Sequence, residues 1–200
     1  MHKVFISFHH DDQYYKNRLL EINFIHKIFI DGSVDIGDIS DDLDDNAIRQ
    51  KIRDEYLKET CVTILLIGQG TKNRKHIDWE IYSSMYDGIV NKKSGVLIIN
   101  LPSIYCNYFT SSHSGEKEKL YPYITEWISI SKRSEYESRY PYMPERIIDN
   151  LLNKESKISV VDWTKIENNP SILSFLIEST FNDRTGCNYD LSRPLRRANS

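Results

Sequence analysis

The sequence predicts an α/β fold, a doubly wound parallel sheet with helices on both faces. Two observations carry this. Between residues 3 and 102, short apolar runs alternate with stretches of helical periodicity, the order expected of successive strand–helix units. The runs 61–68 (CVTILLIG) and 95–102 (GVLIINLP) are also almost wholly apolar, as strands become when helices cover both faces.

The elements follow in order. Residues 3–8 (KVFISF) form a short β-branched and aromatic run that stops at the polar HHDD, a strand feeding a loop. From Asp12 to about Phe29, the positions Tyr15, Leu19, Ile22, Ile25 and Phe29 recur at helical spacing. Residues 34–40 (VDIGDIS) read as a weak second strand or extended loop. Residues 44–59 form a second helix with Asp44 or Asp45 as its cap and Ala47, Ile48, Ile52, Tyr56 and Leu57 turned inward. After the strand at 61–68, a third helix starts near Ile77, with Ile77, Ile81, Met85 and Ile89 four apart and Gly88 near its end.

Past Pro102 the rhythm breaks. Residues 103 to about 145 hold more than half of the thirteen tyrosines and show little periodicity, so they read as an insertion on the core fold. A helix at 144–153, a strand at 158–163 and a helix at 170–181 with proline in its first turn complete the series. The expected organisation is one domain over 1–182 and a tail over 183–200.

Composition narrows the function. The chain has 200 residues, 40% hydrophobic and 28% charged, enough apolar material for the core of one such domain. Its formal charge of −3 lacks the basic excess of general nucleic-acid binders. Acid is concentrated at Asp31, Asp35, Asp38, Asp41, Asp42, Asp44 and Asp45, and base at Arg193, Arg196 and Arg197. On their own these read as a solvated loop and a frayed terminus. Cys61, Cys106 and Cys187 are scattered, with no CxxC pair to suggest a disulfide framework or zinc site. The N-terminus lacks a signal-peptide core and no 18-residue apolar run occurs, so a soluble cytoplasmic protein is expected, with no membrane partner.

In open parallel sheets, ligands bind beyond the carboxyl ends of the strands. That rule brings together Phe8–Asp12, Asp35–Asp38 and Gly68–Glu80. Glu80 lies near the start of its helix, where the dipole favours an ionised carboxylate; such a group is a poor general acid and a good stabiliser of positive charge. Taken alone, Glu80 reads as a solvated helix residue and Trp79 as a packing residue. Asp11–Asp12 after the first strand resembles the metal pocket of receiver domains. That pocket, however, needs an aspartate ending the third strand and a lysine ending a late one, where this chain has Gly68-Gln69-Gly70 and Asp162-Trp163. His9 and His10, as sequence neighbours at a strand end, are expected to point apart, and no metal site is expected.

The opening KVFISFHHDD, the strand CVTILLIG and the spaced set Thr71, Asn73, Arg74, Glu80, Ile81 resemble a TIR domain, more narrowly the TIR-like subfamily typified by the Thoeris anti-phage defence protein ThsB. The resemblance covers residues 3 to about 102. The pair Phe8-His9 and a threonine–arginine loop before the glutamate are the narrower features. Family members commonly carry a tryptophan shortly after the arginine; here His76 is near that place and Trp79 directly precedes Glu80. The resemblance implies a flavodoxin-like sheet and an NAD⁺ glycohydrolase or ADP-ribosyl cyclase, with NAD⁺ as substrate rather than cofactor and Glu80 as the catalytic residue.

It further implies that Phe8, with Ser7 and His9, lines the nicotinamide side. Asp11, Asp35 or Asp38 would bind ribose hydroxyls or order the loop, and Arg74 or Lys75 would meet the pyrophosphate. Thr71, Asn73 and Trp79 complete the expected substrate-binding set. A cyclic ADP-ribose-type product would activate a separate effector; self-assembly through TIR surfaces and a phage-derived activator are the other implied partners. Two other readings stay open at this point: a non-catalytic interaction module, and a nucleoside deoxyribosyltransferase-like enzyme that uses a glutamate on a related fold.

Overall fold

A computed structural model describes residues 1–33, 43–89 and 91–199. Its centre is a five-stranded, all-parallel sheet in the order β2-β1-β3-β4-β5, with β1 Lys3–Ser7, β2 Ile30–Asp31, β3 Val62–Ile67, β4 Gly95–Asn100 and β5 Ser159–Asp162. The α/β doubly wound expectation is met. Around the sheet lie α1 Gln13–His26, α2 Asp45–Lys51, α3 Lys75–Met85, α4 Glu116–Leu120, α5 Arg133–Arg139, α6 Glu145–Leu152, α7 Trp163–Glu167 and α8 Pro170–Asp183.

The alternation of side chains along each strand divides the core into two layers. Val4 and Ile6 of β1, Val62, Ile64 and Leu66 of β3, and Leu97 and Ile99 of β4 face α1 and α8, where they meet Leu19, Ile22, Leu173, Leu176 and Ile177. Leu65, Ile67, Val96, Ile98 and Val160 face the other way, toward Ile77, Ile81 and Met85 of α3 and Ile147, Ile148 and Leu151 of α6. Phe5 shares that second direction and packs with Ile48, Ile52, Leu57, Trp79 and Leu195. Ser7, two residues further along β1, therefore points at α3 as well.

Several elements differ from expectation. The second strand lies upstream at Ile30–Asp31; residues 34–42, with Asp35 and Asp38, fall outside the described residues. Helix α1 ends at His26 because Lys27 takes a left-handed conformation (φ 52°). Phe29 is thus buried from beyond the helix, while Ile25 is exposed. Asp44 caps α2, accepting from the Ala47 amide (2.9 Å), and the helix runs on as a π-type turn over Ile52–Tyr56. Helix α3 starts earlier, at Lys75, and stops at Met85, so Ile89 is not part of its inner stripe and is 96% exposed. Residues 103–145, expected as an insertion, carry α4 and α5, and Thr110 pairs with Val160 of β5 as an isolated antiparallel bridge.

The basic terminal segment is packed rather than frayed. Arg193 pairs with Asp149 (2.6 Å) and Glu145 (2.6 Å), and Leu195 and Cys187 are buried. Arg146 of α6 forms a bidentate, buried ion pair with Asp78 of α3 (2.8 and 2.9 Å) and also donates to the Arg193 and Pro194 carbonyls. No helix among the described residues is long and apolar enough to cross a membrane.

Candidate functional site

A cleft of about 370 Å³ opens at the carboxyl end of β1, lined by Phe5, Ile6, Phe8, His9, His10, Lys16, Ser33, Arg74, His76, Ile77, Glu80 and Asn199. Its position follows from topology, since β1 and β3 are neighbours whose following loops both run over the same sheet edge. Among these residues Glu80 supplies the carboxylate, while Lys16, Arg74 and the histidines supply the donors.

Ser7, the last residue of β1, donates its hydroxyl to Glu80 Oε2 at 2.6 Å. Because α3 begins at Lys75, Glu80 lies in its second turn, where the pull of the helix terminus has largely faded. Burial dominates instead: it pushes the Glu80 pKa up to about 7, against the lowering effect of the Ser7 hydrogen bond. This corrects the expectation of a firmly ionised carboxylate. At neutral pH Glu80 divides between its two forms, so it can accept or release a proton as well as stabilise a cation.

His9 is buried, and its Nδ1 accepts the Asp11 amide (3.2 Å). Burial first, then Arg74 and His10, lowers its pKa, with Asp11 opposing. The ring is thus neutral at pH 7, with its proton on Nε2, an atom buried without a hydrogen-bond partner among the described residues. Such a donor beside a cleft suits a ligand oxygen. Phe8 presents its ring with Lys16 Nζ 5.0 Å from the centroid.

Two glycines let the β3–α3 loop come this close. A Cβ on Gly70 would sit 2.8 Å from the His9 ring, and one on Gly68 would sit 2.1 Å from the Asp12 carboxylate. Thr71 shapes the same loop rather than facing the cleft. It is fully buried, accepting from the Gly68 amide (2.9 Å) and donating to the Leu66 carbonyl (3.3 Å).

Arg74 lines the cleft and also a neighbouring cavity of about 330 Å³ that holds Asn73, Gln69, Gly70, Lys72 and Asn199. Asn73 is therefore beside Arg74 and outside the Glu80 cleft. Asp11 is exposed and pairs with His10 Nε2 (2.7 Å). Trp79 does not line the cleft: it is fully buried, in the cluster of Phe5 and Leu195, with Nε1 donating to the Arg196 carbonyl (2.7 Å). It is a packing residue, against the role that the resemblance implied. The His9 and His10 rings, expected to point apart, lie 4.1 Å apart between centroids, because a tight turn over His10–Asp12 replaces extended strand there. With Asp11 they bring three ligand atoms within 4.8 Å of one another, a set that could hold a cation.

Residues 5–104 match the family described as Thoeris protein ThsB, TIR-like domain. The chain belongs to this family. The matched span of the TIR-like domain runs from β1 through β4, so it contains both strands and the helix that form the cleft. No curated protein and no solved structure gives a significant match. Sequence reasoning missed Asn199, Lys16 and Ser33 as cleft residues. Lys16 and Ser33 carry no pattern that separates them from ordinary surface positions. Asn199 reaches the cleft only because the terminal segment folds back, its Oδ1 accepting the Lys75 amide at the start of α3 (2.9 Å).

Proposed function

We propose that this ThsB-type TIR-like domain cleaves NAD⁺ at the nicotinamide–ribose bond and forms a cyclic ADP-ribose-type signal that activates a separate effector in anti-phage defence. The observation that carries the reading is Glu80 in the wall of the cleft, held there by the hydroxyl of buried Ser7. Departure of nicotinamide takes the C1′–N1 bonding pair to the pyridinium nitrogen and neutralises it, so no acid is needed. The ribose is left as an oxocarbenium-like cation, which a fixed carboxylate stabilises. A hydroxyl or ring nitrogen of the same substrate then attacks C1′, and any proton it sheds passes to Glu80. Holding that nucleophile in place and keeping water out favours cyclisation over hydrolysis.

In this reading Phe8 and His9 contact the nicotinamide riboside half. Arg74, on the rim shared by both cavities, meets the pyrophosphate. Two assays test it: nicotinamide release from NAD⁺ by the purified chain, and phage protection by cells expressing the wild type or Glu80→Gln together with an effector. Protection lost in Glu80→Gln is the expected result. Equal protection by the two overturns the catalytic reading in favour of an interaction module.

A further inference from the structure

A second cavity, of about 290 Å³, lies far from the first in the topology. Its walls are residues 109–112, which run beside β5 at the opposite edge of the sheet, and residues 156–158, which lead into the amino end of that strand. We propose that it binds a phosphorylated small molecule of the mononucleotide class, independently of Glu80.

Charge is the first argument. Lys117, Arg139, Lys154 and Lys157 line the cavity, and no carboxylate does among the described residues. Arg139 is held by Glu135 (2.8 Å) and Lys157 by Asp183 (3.0 Å). Lys117 instead lies 4.5 Å from the Trp127 ring centroid, and Lys154 donates to the Tyr136 hydroxyl (3.2 Å), so neither meets a carboxylate among the described residues. Cations gathered around one concavity repel one another, and a bound anion relieves that.

The second argument is that the wall is ordered. Glu116 is fully buried, and its Oε2 accepts from the Ser112 amide (3.0 Å), the His113 amide (3.0 Å) and the Ser159 hydroxyl (2.6 Å). That carboxylate fixes the loop carrying Ser111, whose buried hydroxyl has no partner among the described residues. The Trp127 ring, set edge-on to Phe109 (5.8 Å) and Tyr121 (5.8 Å), adds a flat apolar surface for a base. Cations, hydroxyls and an aromatic ring in a cavity of this size together match a phosphate joined to a planar ring.

Calorimetry on the full chain with adenosine monophosphate, and separately with inorganic pyrophosphate, tests the proposal. Wild type is expected to bind both. Lys117→Gln/Lys154→Gln weakens both by roughly tenfold or more, with an unchanged melting temperature in the absence of probe, since both lysines are exposed. Arg74→Gln, which removes the proposed phosphate contact of the first cleft, loses any binding there and keeps the binding that depends on Lys117 and Lys154. The proposal is overturned if wild type binds neither probe, if the double variant binds as well as wild type, or if Arg74→Gln abolishes binding.

Discussion

Ser7 Oγ donates to Glu80 Oε2 across 2.6 Å, joining the end of β1 to the second turn of α3. The bond favours the ionised carboxylate, while burial holds the pKa up at about 7. For NAD⁺ cleavage by the ionised form, kcat/KM rises with pH to a midpoint near that value and is flat above it. Ser7→Ala removes the opposing hydrogen bond, so the midpoint moves to higher pH and activity at neutral pH falls roughly three- to tenfold. A pH profile of nicotinamide release on both proteins checks this, and an unshifted midpoint in Ser7→Ala contradicts it.

Glu80 also makes stability depend on pH. Its folded-state pKa, about 7, lies above the ordinary value of 4.5, so the native state binds more protons than the unfolded chain within that window. The contribution of this group to stability therefore falls as pH rises from 4.5 to 7 and stays low above it. Glu80→Gln removes the burden of a buried charge. At pH 8 it is expected to melt about 2–6 °C above wild type, with the gap closing near pH 5. Thermal melts at the two pH values measure it.

Trp79 is a structural test case. Its buried indole donates to the Arg196 carbonyl, so Trp79→Phe is expected to lower stability by about 1–3 kcal/mol through the unpaired carbonyl and lost packing. Under the proposed reaction, KM for NAD⁺ should stay within about twofold of wild type, since the ring does not line the cleft. Denaturant titration and steady-state kinetics separate the two effects.

The Arg146–Asp78 pair predicts an asymmetry. Arg146→Met leaves a buried aspartate uncompensated and is expected to cost about 3–5 kcal/mol. Adding Asp78→Leu should recover much of that loss. A double-mutant cycle by chemical denaturation gives the coupling, and additive effects would show the pair to be independent.

Gly70→Ala brings a methyl group to 2.8 Å from the buried His9 ring. The ring or the loop must shift, at about 1–3 kcal/mol. Under the proposed reaction, nicotinamide release falls with it. Gly186→Ala, where an added Cβ meets nothing within 4 Å, is the matched control and is expected to behave as wild type.

Most of the fold was legible because its signals are local. The apolar runs at β3 and β4 and the four-residue spacing through Ile77, Ile81 and Met85 are written in short windows of sequence. The place of Glu80 in the wall of the cleft was legible through topology and family pattern. Its protonation was not, because desolvation depends on the whole wall of the cleft and outweighs the helix-terminus argument that sequence can supply. Trp79 was misplaced for a related reason. Residues adjacent on a helix point about 100° apart, so sharing a motif with Glu80 does not bring the indole to the same surface. The β2 shift and the docking of residues 193–199 rest on partners distant in sequence, such as Arg193 with Asp149 and Trp79 with Arg196.

Those distant partners have a consequence for folding. Ser7 and Glu80 are 73 positions apart, Trp79 and Arg196 are 117 apart, and Lys75 and Asn199 are 124 apart. Closing such loops is slow compared with forming the helices themselves, so the cleft is assembled late, after the local elements exist. A partly folded chain would carry every residue of the site and still lack the site. For a protein proposed to consume a central metabolite, completion of the native topology would itself be the first safeguard against idle turnover.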